Sequence, residues 1–161
     1  WDWKINAVQE GDIVYGKFYE GKAAFATTEC FGHLMNYRRS LPKYRMALGE
    51  KYPAKTRSEI LMKHLAPCAL DYIRRNGSAE SREIRIELAK AVTPSLIRKL
   101  GSAYKANLQP VVKKSICDTV IQFLEMGTWI VAGEIRRVYR GPAMEYKGWQ
   151  RTSLAIPTPT R

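Results

Sequence analysis

The sequence is short of cysteine, histidine, acid and long apolar runs. It holds three cysteines and two histidines in 161 residues. Cys30, Cys68 and Cys117 are odd in number and too few for a disulfide scaffold, which argues for a reducing compartment. No apolar run approaches the ~18 residues that a membrane helix needs, and no signal-peptide pattern is present. The expectation is a cytoplasmic or nucleoid-associated protein, nuclear in a eukaryote, with no membrane contact. Acidic residues number 15 against 27 Lys plus Arg, a net charge of +12. Such an excess implies a polyanionic partner, nucleic acid before acidic lipid or acidic protein.

The positive charge is unevenly placed. Residues 1–35 are slightly acidic. Residues 36–57 carry Arg38, Arg39, Lys43, Arg45, Lys51, Lys55 and Arg57 against Glu50 alone. Residues 96–115 carry Arg98, Lys99, Lys105, Lys113 and Lys114 with no acid, and residues 135–151 carry Arg136, Arg137, Arg140, Lys147 and Arg151 against Glu145. Basic clusters at the edges of successive elements suit a surface that tracks a phosphate backbone. The bland alternative is a set of solvated helix and strand faces.

Signatures of catalysis are missing. There is no P-loop, no G-x-S-x-G and no H-E-x-x-H. The acids Asp71, Glu80, Glu83 and Glu87 are accounted for by helix starts and solvated faces, and Cys117 falls on an apolar stripe. The reading is of a binding protein rather than an enzyme.

Periodicity supplies the architecture. Two short β-like runs, 13–15 and 17–19, suggest a small hairpin or extended arm. The segment "TTECFGHLMNYRRS" reads as a helix capped by Thr27 or Thr28, with Phe31, Leu34 and Met35 on its apolar face. "KTRSEILMKHLAPCALDYIRRNG" is a longer helix with Ser58 as N-cap, a kink or break expected at Pro67, and Gly77 as its stop. "SAESREIRIELAKAV" starts at Ser78 or Ser81 and buries Ile84, Leu88 and Val92. Thr93, Pro94 and Gly101 punctuate a short helix. "PVVKKSICDTVIQFLEMG" reads as the longest clean helix, from Pro110 to Gly127, with Val112, Ile116, Val120, Phe123 and Leu124 inward. The period then becomes two. Strand material covers 129–140, continuous or bent at Gly133, and 149–156, around a loop "GPAMEYKG".

This order of helix, helix, basic helix and basic hairpin resembles the winged helix-turn-helix DNA-binding superfamily over residues 58–156. The resemblance rests on the first helix closing in "DYIRRNGSA", the second in "EIRIELAKAV", the third in "VVKKSICDTVIQFLEMG" and the two wing strands. The segment 93–107 departs from the pattern as an inserted helix or a remodelled turn. The resemblance implies a mostly helical fold with a small antiparallel hairpin. The expected division is a basic helical N-terminal extension over 1–57, a winged-helix domain over 58–156 and a tail over 157–161.

It implies DNA contacts as well. A major groove admits one helix, whose N-terminal half reaches base edges. Lys105, Asn107, Gln109, Lys113, Lys114 and Ser115 are the candidates there. The wing offers Arg136, Arg137, Arg140, Lys147 and Arg151, and the extension offers Arg38, Arg39, Lys43 and Arg45, to the phosphates. The expected role is a transcriptional regulator or origin-binding replication factor on double-stranded DNA. A homodimer through 27–57 or a transcription or replication protein is a further expected partner. The alternative role is a winged-helix protein adaptor. RNA stacking on Tyr37, Tyr44 and Tyr104 is weaker still.

No cofactor is expected. Cys30-x2-His33 and His64-x3-Cys68 place each pair on one helix face, and four such ligands would hold a structural zinc. Ordinary histidines and core cysteines explain the same spacing more simply.

Overall fold

The computed structural model describes the backbone of residues 2–140, 145–151 and 153–157, and the side chains of 3–134 and 153–157. The chain is mostly helical, with small antiparallel sheets. The longest described helix is α4, Arg57–Asn76. Its N-cap is Thr56 rather than Ser58. Thr56 Oγ1 accepts from the Glu59 backbone N–H at 3.1 Å, and Glu59 reaches back to the Thr56 N–H. This capping box satisfies two N-terminal donors reciprocally, which Ser58, two residues on and with Leu61 at its N3 position, could not do. The helix runs through Pro67 without a break and ends at Gly77, where φ is +79°.

Its apolar stripe is Leu65, Ala66, Ala69, Leu70 and Ile73, all buried. They meet α5, Ser81–Lys90, through Ile84 and Leu88, and α8, Lys114–Met126, through Val120, Ile121 and Leu124. Each large apolar side chain so buried contributes about 1.5–3 kcal/mol, so this three-helix contact dominates the fold. Two further helix starts differ from expectation. α5 is N-capped by Glu80 with no side-chain cap, because Ser78 and Ala79 form the strand β3 instead. α8 begins at Lys114, so Pro110–Val112 lie outside it, although Val112 is fully buried.

Between α5 and α8, residues 93–108 form α6, Pro94–Leu100, a 3-10 turn and α7, Lys105–Leu108. Thr93 caps α6 and Gly101 closes it, as expected. Leu96 and Leu100 seat α6 on the main core.

After α8 come β4, Val131–Ala132, β5, Ile135–Arg140, β6, Glu145–Arg151, and β7, Leu154–Ala155. The bend expected at Gly133 is there: Ser153 accepts the Gly133 N–H through its carbonyl at 2.9 Å and the Glu134 N–H through its Oγ at 2.8 Å. β3, β7 and β4 form one antiparallel sheet with β7 central, while β5 and β6 pair separately. Glu145, Tyr146 and Lys147 belong to β6, so the connection is shorter than the eight-residue loop expected; its residues 141–144 are outside the description.

The N-terminal residues add a second layer. α1, Asp2–Glu10, was invisible to periodicity. The two short runs at 13–19 are one strand, β1, Ile13–Tyr19, paired with β2, Lys22–Thr27. Glu20 and Gly21 both take positive φ, the twist a two-residue hairpin turn requires. α2, Thr28–Arg38, follows with Thr27 as its cap. Phe18, Phe31 and Val131 form a small core with Leu34 and Met35. After α3, Pro42–Arg45, the residues Met46 and Ala47 enter the same core as α4, α5 and α8. Residues 1–57 therefore share their packing with the rest of the chain.

Candidate nucleic-acid interface

The candidate interface is built around the first turn of α8. The chain reaches it from α7 through a segment held at both ends. The Lys113 N–H donates to the Asn107 carbonyl at 2.7 Å, and the Val112 N–H to the Arg85 carbonyl at 3.3 Å. Arg85 Nε returns a bond to the Val112 carbonyl at 2.8 Å. With Val112 and Leu108 fully buried, α7 and the start of α8 move as one piece. On its outer side Lys105, Gln109, Lys113, Lys114 and Ser115 are exposed and Asn107 is half-buried.

The electrostatics of this end are one-sided. Lys113 is the N-cap, no side chain caps the helix, and the first turn holds no acid. The leading N–H groups and the helix dipole therefore add to the lysine charge. One lysine is moderated: Lys114 Nζ bonds Asp118 at 2.9 Å, an exposed i,i+4 pair. Such pairs are worth only about 0.3–0.5 kcal/mol, so an incoming phosphate competes with it easily.

Most of the arginines expected from 36–57 are engaged inside the fold. Arg38 donates to the Met126 carbonyl at 3.0 Å. Arg39 donates to the Thr128 carbonyl at 2.7 Å and to Thr128 Oγ1 at 3.1 Å, and lies 4.7 Å from the centre of the Trp129 ring. Its burial lowers its pKa, and Arg74 adds to that. Both residues close the C-terminal end of α8, whose last carbonyls need donors. Arg45 pairs with Glu50 and also donates to the Arg39 carbonyl. Of the four expected there, Lys43 is the exposed one.

The wing candidates Arg136, Arg137 and Arg140 lie on β5, and Lys147 and Arg151 on β6. Arg136 is opposite Gln150, Arg137 opposite Trp149 and Arg140 opposite Glu145. Their side chains are outside the description.

Four further cations were not among the contact residues expected from the sequence. Arg57 lies over Tyr104 at 5.5 Å, which links the start of α4 to the turn before α7. Lys63 and Lys99 share a cavity with His64. Arg85 makes the two bonds to Val112 just described. Charge counting had included Arg57 and Lys99 in its basic clusters, but it does not say which face a cation occupies.

The remaining candidates do not converge. Cys30 and His33 are exposed on α2, whereas His64 and Cys68 lie on α4. His64 Nε2 bonds the Ala91 carbonyl at 2.8 Å. Among the described residues no three His, Cys, Asp or Glu side chains are grouped to hold a metal. Cys117 is buried, and that burial pushes its thiol up to about 12. Cys68 is also raised, mainly by burial. Tyr37 is exposed, Tyr44 packs on Phe123 and Tyr104 is half-buried. No described helix is long and apolar enough to cross a membrane.

The family model described as AlkZ related matches residues 1–159. The chain belongs to this family. No curated protein and no solved structure matches it. The AlkZ-related match covers the N-terminal layer together with the helical core, in keeping with the packing that joins them.

A buried carboxylate ties these two parts together. Glu125 on α8 is fully buried, and its Oε2 accepts the Lys17 backbone N–H of β1. Gly16 makes room: a Cβ there would stand 2.8 Å from that oxygen.

Proposed function

We propose that the AlkZ-related chain binds duplex DNA, with α8 as recognition helix and the β5–β6 hairpin as wing, in transcriptional regulation or at a replication origin. The observation that carries this is the exposed, acid-free first turn of α8, with Lys113, Lys114 and Ser115, braced against α7 by the Lys113–Asn107 bond. The order α4, β3, α5, α8, then two strands returning to β3 through β7, supports a winged-helix arrangement. In it the 93–108 insertion is carried on α4 and leaves the α8 terminus open. Lysines would contact phosphates, and Asn107 and Gln109 have the donor–acceptor pairs that read adenine.

Binding to random duplex, followed by fluorescence anisotropy over a salt series, tests this. The expected result is affinity falling steeply with salt and weakened by Lys113→Ala/Lys114→Ala. Absence of binding at low salt would overturn it.

One observation favours a protein adaptor instead. A shallow apolar groove between α5 and α7 is lined by Ile86, Ala89, Ala106 and Pro110, with Ile86 exposed. A partner captured there would be insensitive to salt and lost in Ile86→Glu.

A further inference from the structure

A second cationic feature lies away from the α8 terminus. Between α4 and α6 a cavity of about 410 Å³ is lined by Lys63, His64, Thr93, Ser95 and Lys99 above Leu96. No carboxylate lines it. The Lys63 ammonium is held in place by the Tyr52 carbonyl at 3.0 Å. Among the described residues Lys99 has no ion pair. Thr93 Oγ1 accepts the Leu96 N–H at 3.2 Å, so its hydroxyl hydrogen points elsewhere. His64 is fixed by the Ala91 carbonyl, a pure acceptor, so Nε2 carries a proton.

Two lysines line this cavity and no acid does, so its lining is net positive and favours an anion. The donors come from two helices and the segment before α6, and they number several: two ammonium groups and two hydroxyls. A carboxylate has two oxygens to offer them, whereas a phosphoryl group has three or more. We propose that this cavity binds a phosphoryl-class anion, through Lys63 and Lys99 with Thr93 and Ser95. The anion is either a backbone phosphate of a nucleic acid or a free phosphate ester. The site shares no residue with the α8 terminus, so it stands or falls independently of that reading.

The test is calorimetric titration of the whole chain with inorganic pyrophosphate at low salt, beside the duplex anisotropy measurement. Lys63→Gln/Lys99→Gln should weaken pyrophosphate about tenfold and Lys99→Gln alone about threefold, while Lys113→Ala/Lys114→Ala leaves it unchanged. Lys99→Gln keeps the Lys63–Tyr52 bond, so its result does not depend on tolerance of the double variant. If the double variant also weakens duplex binding and pyrophosphate competes with duplex, the anion is a backbone phosphate. If duplex binding is untouched, it is a free phosphate ester. Absence of saturable pyrophosphate binding, or binding that neither variant changes, overturns the site. Loss of duplex binding in the α8 variant with pyrophosphate retained leaves the two proposals separable.

Discussion

Two basic stretches that look alike in sequence do different work. In 36–57 the guanidinium groups of Arg38 and Arg39 reach backbone carbonyls at and just beyond the end of α8, and that of Arg45 is taken up by Glu50 and the Arg39 carbonyl. In 96–115 the ammonium groups of Lys105 and Lys113 face solvent at its beginning. One helix is thus held at its negative end by arginines and leaves its positive end open. The side chains suit the tasks: a planar guanidinium can satisfy several fixed acceptors at once, whereas a lysine is a mobile point charge. A count of positive charge does not distinguish a clamp from a contact surface.

The largest effect should come from breaking the clamp. Arg39→Ala removes two hydrogen bonds and the contact with Trp129, and leaves Thr128, which is fully buried, without its donor. We expect a loss of about 2–3 kcal/mol and a Tm lower by roughly 4–10 °C. A melt unchanged from wild type would dissolve the distinction between the stretches.

Next comes the open end. Lys113→Ala/Lys114→Ala should lower duplex affinity about tenfold, or about 1.4 kcal/mol, and reduce the salt slope by about two units. Its Tm should stay within about 1–2 °C of wild type, because only an exposed pair with Asp118 is lost. Protection of Cys117 from alkylation serves as a control in the same samples. With its thiol raised to about 12 and buried, it should react only when α8 leaves the core.

Lys43→Ala sharpens the comparison further. It is the exposed cation among the four expected from the first stretch, and its removal should change duplex affinity by less than about twofold. A tenfold loss would put 36–57 back on the interface.

The smallest effect is on the acid side. The Arg45 hydrogen bond holds Glu50 below the ordinary carboxylate range, and the Thr56 backbone N–H does the same for Glu59. A depressed folded-state pKa stabilises above the unfolded value and loses that contribution as pH falls through the folded one. Stability should therefore hold down to the ordinary glutamate range, near 4.5, and fall below it. In Glu59→Gln the acid limb should be shallower in melts taken between roughly pH 5 and pH 2.

The order of α2, α4, α5, α6 and α8, the Thr93 cap, a cap at Thr27 or Thr28, the Gly77, Gly101 and Gly127 stops and the inward faces of α4, α5 and α8 were legible in the sequence, whereas α1 and α7 were not. These signals are local. A cap acts over three residues and an apolar stripe repeats every three or four, so neighbouring letters suffice. The choice of Thr56 over Ser58 was within the same reach, through the Glu59 partner three residues on. β3 was not, since two residues become a strand only because β7 arrives beside them.

The candidate site divides in the same way. Sequence alone placed Lys113 and Lys114 in the N-terminal half of a helix begun at Pro110, with its apolar residues weighted further along. Only the tertiary structure decided which cations are engaged. The Arg38 and Arg39 bonds to the end of α8 span 88 and 89 residues, and the Glu125 bond to β1 spans 108. No periodicity or cap reports a partner at that separation. The choice between clamp and surface is made by packing, because a buried carbonyl or carboxylate must find a donor wherever the chain brings one.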